Sequence, residues 1–259
     1  MLHSKFTHLA PFVTAAQSRR SKLVSGGALA VTGAALLAGS SLAHAEVTGN
    51  AGVVSQYIFR GGVEDARTSL QGGLDYAHES GVYAGTWFST LDYGASNNNE
   101  VDLYAGYSGS AGDFGYDVGL LYFLYTGSDE GDSDANVPEA YVAGSYGPVG
   151  LSVNYALDDA TWTNQGDIYV SASYEQPLPD DFTLSGSIGY YFYESDGEFI
   201  TGGTEDSAFR DATVSLSHPL ASTGADMSLD YTWGGNDRFG TSNGGYLDNH
   251  FWAGATWTF

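Results

Sequence analysis

From residue 47 onward one pattern recurs: segments of about ten residues in which apolar and polar side chains alternate, cut apart by clusters of Gly, Asp, Asn, Ser and Pro. A period of two marks a strand with two unlike faces. Twelve such segments are read, at 47–60, 68–79, 81–92, 100–109, 113–125, 138–147, 149–158, 166–176, 181–193, 208–218, 225–234 and 246–259. Ten or fourteen also fit, because 138–158 and 208–218 are short or weakly patterned. The connections alternate in length. Short ones fall at Glu79–Gly81, Gly109–Gly112, Gly147–Pro148, Pro177–Asp180 and Pro219–Gly224, and longer polar ones lie between them. An up-and-down outer-membrane barrel has this rhythm, with short periplasmic turns and longer outer loops.

The first 45 residues differ. Lys5, Arg19, Arg20 and Lys22 precede an apolar, small-residue run from Leu23 to about Leu42, and Ala43-His44-Ala45 follows the small-x-small rule of signal peptidase. The division is therefore a signal peptide over 1–45 and one barrel domain over 46–259. An uncleaved anchor fits less well, since the run is rich in Gly, Ser and Thr. A twin-arginine signal at Ser18-Arg19-Arg20 fits poorly, since Ser21 and Lys22 displace the apolar residues expected there. Beyond Ala45 no apolar stretch approaches the roughly 20 residues of a transmembrane helix, so strands must make any membrane crossing.

All 31 acidic residues lie after Ala45, where only Arg60, Arg67, Arg210 and Arg238 oppose them. Such a surplus repels phosphate backbones and disfavours nucleic acid as a partner. With no cysteine, the exported chain forgoes disulfides and thiolate metal sites. Its 5 Trp, 19 Tyr and 13 Phe argue for order despite the acidic, Gly-rich composition.

Apolar residues share one face of each segment, as Val149, Leu151, Val153 and Tyr155 do against Ser152 and Asn154. A soluble sandwich alternates in the same way. The segment ends discriminate better. Tyr83, Tyr107, Phe114, Tyr116, Tyr146, Tyr174, Phe182 and Trp257 fall near the periplasmic ends. Tyr57, Phe59, Tyr122, Tyr155, Tyr190, Phe192, Tyr231 and Trp233 fall near the outer ends, as two aromatic girdles. In the last segment Phe251, Ala253, Ala255, Trp257 and the final Phe259 share a face. Trp257 and Phe259 are read as the signal recognised by outer-membrane assembly machinery.

Tyr57-Ile-Phe-Arg-Gly61, Gln71-Gly-Gly-Leu-Asp-Tyr76, Gly81-Val-Tyr-Ala-Gly-Thr-Trp87, Glu100-Val-Asp-Leu-Tyr-Ala-Gly-Tyr107, Tyr116-Asp-Val-Gly-Leu-Leu-Tyr122 and Glu139-Ala-Tyr141 resemble the signature of the TorF-type porins. The resemblance is strongest over 47–147. It implies an exported proteobacterial barrel and brings no catalytic residue set.

If the apolar faces meet lipid, the opposite parity faces the lumen, with Arg60, Asp75, Glu79, Asp102, Asp117, Glu139, Asp158, Asp167, Glu175, Asp211, Asp226, Asp230 and Asp248. The candidate pore lining is Arg60, Asp75, Asp102, Asp117, Glu139, Asp167 and Asp230. Carboxylates inside a low-dielectric wall concentrate cations and exclude anions. Arg60 is expected to pair with Asp75 or Asp102, as a structural clamp or as a selectivity element. Asp129, Glu130, Asp132 and Asp134 read as solvated loop charges.

Catalysis finds little support. His78, His218 and His250 stand on separate segments, and there is no Gly-x-Ser-x-Gly. Asp132-x-Asp134-x-Asn136 opens like a calcium loop, but Val137 replaces the required Gly and Ala143 the bidentate Glu. No metal or other cofactor is expected. The reading is an all-β, antiparallel, up-and-down transmembrane barrel of about twelve strands in the outer membrane. It is a narrow porin-like channel for small hydrophilic solutes that prefers cations, with lipids, assembly machinery and small solutes or cations as partners. The alternatives are a barrel enzyme of the lipid or ester hydrolase type, and a non-conducting structural or adhesive barrel.

Overall fold

Alternation over a dozen segments closes here into a cylinder. The computed structural model describes residues 46–92, 97–126, 132–220, 223–242 and 245–259. The leader read over 1–45, and Asp129 and Glu130, lie outside the described residues.

The strands are β1 Glu46–Val54, β2 Tyr57–Phe59, β3 Gly62–Asp65, β4 Ser69–Ala77, β5 Val82–Asp92, β6 Asn97–Ala111 and β7 Phe114–Thr126. They continue as β8 Val137–Tyr146, β9 Val149–Ala156, β10 Ile168–Pro177, β11 Thr183–Phe192, β12 Ser207–Leu220, β13 Ala225–Gly234 and β14 His250–Thr258. Twelve of them form a closed antiparallel barrel, in which β1 pairs with both β4 and β14. Closure leaves no free strand edge. The last residue joins the ladder: the Gly49 amide donates to the Phe259 carbonyl at 2.8 Å, and the Phe259 amide donates back at 2.9 Å. Among the described residues no helix is long and apolar enough to cross a membrane.

The outer face is apolar strand after strand. Val47, Leu74, Leu103, Leu120, Val142, Leu151, Ile188, Leu229 and Phe251 are exposed there. So continuous an exposed apolar surface is tolerated in lipid and not in water. The fold is a transmembrane β-barrel.

One expected strand is overturned. Segment 47–60 was read as a single wall strand, yet the wall ends at Val54 and the chain turns inward. There β2 and β3 form a separate hairpin, with Phe59 opposite Gly62. Its two turn residues, Arg60 at φ 46° and Gly61 at φ 78°, both adopt left-handed backbone, as a two-residue hairpin turn of matching twist requires. Glycine takes this conformation freely. Arginine does so only where surrounding contacts hold it. The reason for the turn inward is legible in hindsight: Tyr57, Ile58 and Phe59 are consecutive apolar residues, and all three are buried. A wall strand keeps two unlike faces, whereas a piece enclosed on all sides does not.

Candidate pore and vestibule

The hairpin spans the lumen and is tied to both sides of the wall. Tyr57 packs on Trp87 of β5 with ring centroids 5.5 Å apart, and its hydroxyl donates to Glu100 of β6 at 2.7 Å. Phe59 meets Phe123 of β7 at 5.5 Å and Trp162 of the β9–β10 loop at 5.9 Å. On the far side Arg210 of β12 donates from Nε to the Arg60 carbonyl at 2.8 Å, and Tyr246 donates to Glu64 at 2.7 Å. Tyr57 and Phe59, expected in the outer girdle, are therefore interior. Tyr83 also turns inward, donating to Asp117 at 2.6 Å. Tyr107, Phe114, Tyr146, Tyr174, Phe182, Trp257, Tyr122, Tyr155, Tyr190, Phe192 and Trp233 are exposed on the outer face.

Arg60 lies at the centre. The expected partners were Asp75 or Asp102. The observed one is Glu139 of β8, held by two parallel bonds at 2.9 and 2.6 Å, with a further bond from the guanidinium to the Tyr191 hydroxyl. Sequence separation hides this pairing, because the inward turn at Val54 carries Arg60 off the first strand and across the bore. The guanidinium also stacks over Phe59 and Tyr169, each centroid 4.7 Å away. Asn154 donates to the same carboxylate at 3.2 Å. A bidentate pair this deeply buried tolerates the loss of neither partner.

The other sequence-derived candidates are placed as follows. Asp75, Asp102, Asp117 and Asp230 lie on the inward parity of β4, β6, β7 and β13. Asp102, Asp117, Glu139 and Asp167 are only 0%, 4%, 1% and 2% exposed, so they are packed inside the barrel and do not form the surface of a wide aqueous bore. The Tyr104 hydroxyl donates to Asp75, and Ser228 donates to Asp230 at 2.6 Å. Asp167 stands just before β10 as a loop anchor. It accepts from Thr163 at 2.8 Å and from the Asn164 and Glu194 amides at 3.0 and 2.8 Å, and it pairs with Arg238. Glu79, Asp158 and Asp248, expected inside, are exposed in connections. Trp257 and Phe259 lie exposed at the end of the barrel where the short turns are.

The inner wall has two halves. Strands β5 to β8 present Tyr83, Trp87, Tyr104 and Tyr141. Each tyrosine ring lies over a glycine directly opposite on the next strand: Tyr83 over Gly106, Tyr104 over Gly85, and Tyr141 over Gly119. Strands β9 to β13 present Tyr169 and Tyr191 near the long loops, and otherwise hydroxyls, Ser152, Ser173, Ser185, Ser187, Thr213, Ser215 and Ser228, all seven retaining partial exposure. The large inward rings were missed in sequence, where tyrosine was assigned to membrane interfaces. The mid-strand glycines opposite them are the signal that could have found them.

Above the hairpin, the long loops enclose a cavity of about 550 Å³. Arg60, Arg210 and Arg238 all line it, among Phe59, Trp162, Tyr191, Tyr193 and Tyr246. Burial pushes the Tyr193 phenol up to about 12, with neighbouring Arg210 and Arg238 pulling against it, so this hydroxyl stays protonated at neutral pH. Tyr246 is raised as well, chiefly by burial and then by Glu64.

Of the six histidines, His78, His218 and His250 lie among the described residues. His78 sits in a tight turn, where its Nδ1 accepts from the Ser80 amide at 3.2 Å and lies 2.8 Å from the Ser80 hydroxyl. Among the described residues no carboxylate is hydrogen-bonded to a ring nitrogen of His78, His218 or His250.

A closed twelve-stranded transmembrane barrel with a hairpin folded into its lumen is the class that this architecture defines. Its chain belongs to the family described as "Bacterial protein of unknown function (Gcw_chp)", whose profile matches residues 38–253. That is not the TorF-type name suggested by the sequence motifs. No curated protein matches the sequence. Among solved structures, the KdgM porin aligns with a TM-score of 0.51 at 11% identity, over 82% of this chain and 99% of that one. The KdgM porin in complex with disordered oligogalacturonate aligns at 0.50 and 10% identity, over 82% and 99%. The NanC porin aligns at 0.48 and 14%, over 82% and 98%. At these identities the first two likenesses establish a shared fold.

Proposed function

We propose that the protein is a narrow, porin-like channel of the outer membrane of a Gram-negative bacterium, of the TorF type that its motifs resemble, passing small hydrophilic solutes with a preference for cations. Residues 1–45 are the export signal. The long-loop end, with its vestibule, faces outward, and both termini of residues 46–259 face the periplasm. Trp257 and Phe259 present the assembly signal to the insertion machinery, and the apolar outer band meets lipid.

The supporting observation is the hydroxyl-lined side of the lumen, which keeps access to water while the inward carboxylates Asp75, Asp117 and Asp230 set the sign of the interior field. Glu139 and Asp167 are matched by Arg60 and Arg238, so they add little to that field. Carboxylates in a low-dielectric cylinder attract cations and oppose polyanions such as the oligogalacturonate of the KdgM complex. A channel is favoured over an ester hydrolase, because a Ser-His-acid site needs its imidazole oriented by a carboxylate, and His78 is engaged by its own turn.

Planar-bilayer reconstitution under a salt gradient tests the reading. Stepwise current with a cation-signed reversal potential is expected. An anion-signed potential removes the charge preference, and absence of current removes the channel.

A further inference from the structure

Three of the four arginines after Ala45 meet in the vestibule, and they differ in how their charge is met. Arg60 has Glu139 and Arg238 has Asp167. Arg210 is bonded to neutral groups, the Arg60 carbonyl at 2.8 Å and the rings of Tyr191 and Tyr246 at 5.5 and 5.7 Å from its guanidinium carbon, and feels the charge of Asp211 only from a distance. Among the described residues no carboxylate stands at ion-pair distance from it. Its neighbour Asp211 is turned to the Tyr169 hydroxyl, 2.9 Å away.

The backbone places this side chain deliberately. Gly189 pairs with Asp211 and Tyr190 with Phe209, so Arg210 is the extra residue of a β-bulge. A bulge interrupts the alternation and re-aims one side chain. Here it brings Arg210, next to inward-facing Asp211, into the lining of the cavity.

We infer that the vestibule is a recognition site for a small organic monocarboxylate with a flat apolar body, whose carboxylate is taken by Arg210. A half-buried cation with no carboxylate at ion-pair distance is incompletely compensated, and an incoming carboxylate relieves that. The planar guanidinium fork matches a carboxylate in two-point geometry. The volume of about 550 Å³ suits a small molecule, and Phe59, Trp162 and Tyr191 give its lining an aromatic character that favours a flat apolar body. A second negative charge on the solute is opposed by Glu64, Asp167 and Asp237, which line the same cavity. The inference concerns binding at the mouth and is independent of passage through the barrel.

The test is calorimetric titration of the full barrel, folded in detergent, with benzoate, benzamide and acetate. Saturable benzoate binding is expected, with benzamide weaker by at least about tenfold, the scale of a lost charge-assisted hydrogen bond, and acetate weaker by a similar factor through loss of the buried ring. Arg210→Gln should weaken benzoate by at least about tenfold, with heat-modifiable migration on gels unchanged. Undiminished binding in that variant, benzamide bound as tightly as benzoate, or no saturable benzoate binding overturns the site. If Arg210→Gln does not fold, the benzoate-to-benzamide ratio of the unaltered protein decides alone, and a ratio near one overturns it. Benzoate binding without ionic current would remove the channel and keep this site; current without benzoate binding would do the reverse.

Discussion

Strands β5 to β8 and strands β9 to β13 belong to one sheet and share one alternation, yet their inward faces do opposite things. The first group carries large rings laid over glycines, with Asp102, Asp117 and Glu139 buried among them. The second carries Tyr169 and Tyr191 near the long loops and otherwise mainly serine and threonine, bonded in pairs such as Ser152 with Ser171 at 2.7 Å and Thr213 with Thr232 at 2.9 Å. The first half is a buttress against which the β2–β3 hairpin leans. The second meets the hairpin through Arg210 and Tyr191 and keeps a set of partly exposed hydroxyls. A twelve-stranded cylinder is too wide for one layer of side chains to fill and too narrow for a broad pore, so filling one half decides where any path runs.

The largest expected effect tests the buttress at its anchor. Arg60→Ala leaves Glu139 buried without its counter-charge and is expected to destabilise the barrel by about 3–5 kcal/mol, read as a lower urea midpoint. Adding Glu139→Gln to that variant should recover part of the loss. An unchanged midpoint in Arg60→Ala would break the view that this pair holds the hairpin in place.

A smaller effect is expected where ring meets glycine. A side-chain carbon at Gly85 would stand 2.4 Å from the Tyr104 ring, so Gly85→Val forces the ring off its seat. Overpacking of this kind costs about 1–3 kcal/mol. Full stability in that variant would mean that the aromatic half is loosely packed and not a buttress.

The smallest change in stability is expected on the hydroxyl side, where Ser173→Tyr should shift the midpoint by no more than about 0.5 kcal/mol while single-channel current falls several-fold. Current that survives Ser173→Tyr would place the path elsewhere and dissolve the contrast between the halves.

Much of the wall was legible beforehand. The segment read at 225–234 coincides with β13, and those at 81–92, 113–125 and 149–158 lie within two residues of β5, β7 and β9 at either end. Strand alternation is a local property, enforced residue by residue by the difference between the outer and inner faces. The segment 47–60 failed because its last residues obey a different rule, enclosure on all sides, which period-two reading cannot express. Arg60, read as pairing with Asp75 or Asp102, pairs with Glu139, because the inward turn alters which strand it meets. Arg210 went unremarked, since a bulge is one extra residue and leaves no trace in composition.

The order of residues alone determined the up-and-down barrel class and the outward apolar band, since both follow from alternation, while it left ten, twelve or fourteen strands open. Tertiary structure alone decided which carboxylates meet arginine, which half of the bore is filled, and that three arginines gather at one mouth. Those outcomes depend on closure of the sheet and on one hairpin crossing its interior. Residues separated by 79 and 150 positions in Arg60–Glu139 and Arg60–Arg210 become neighbours only once the cylinder exists.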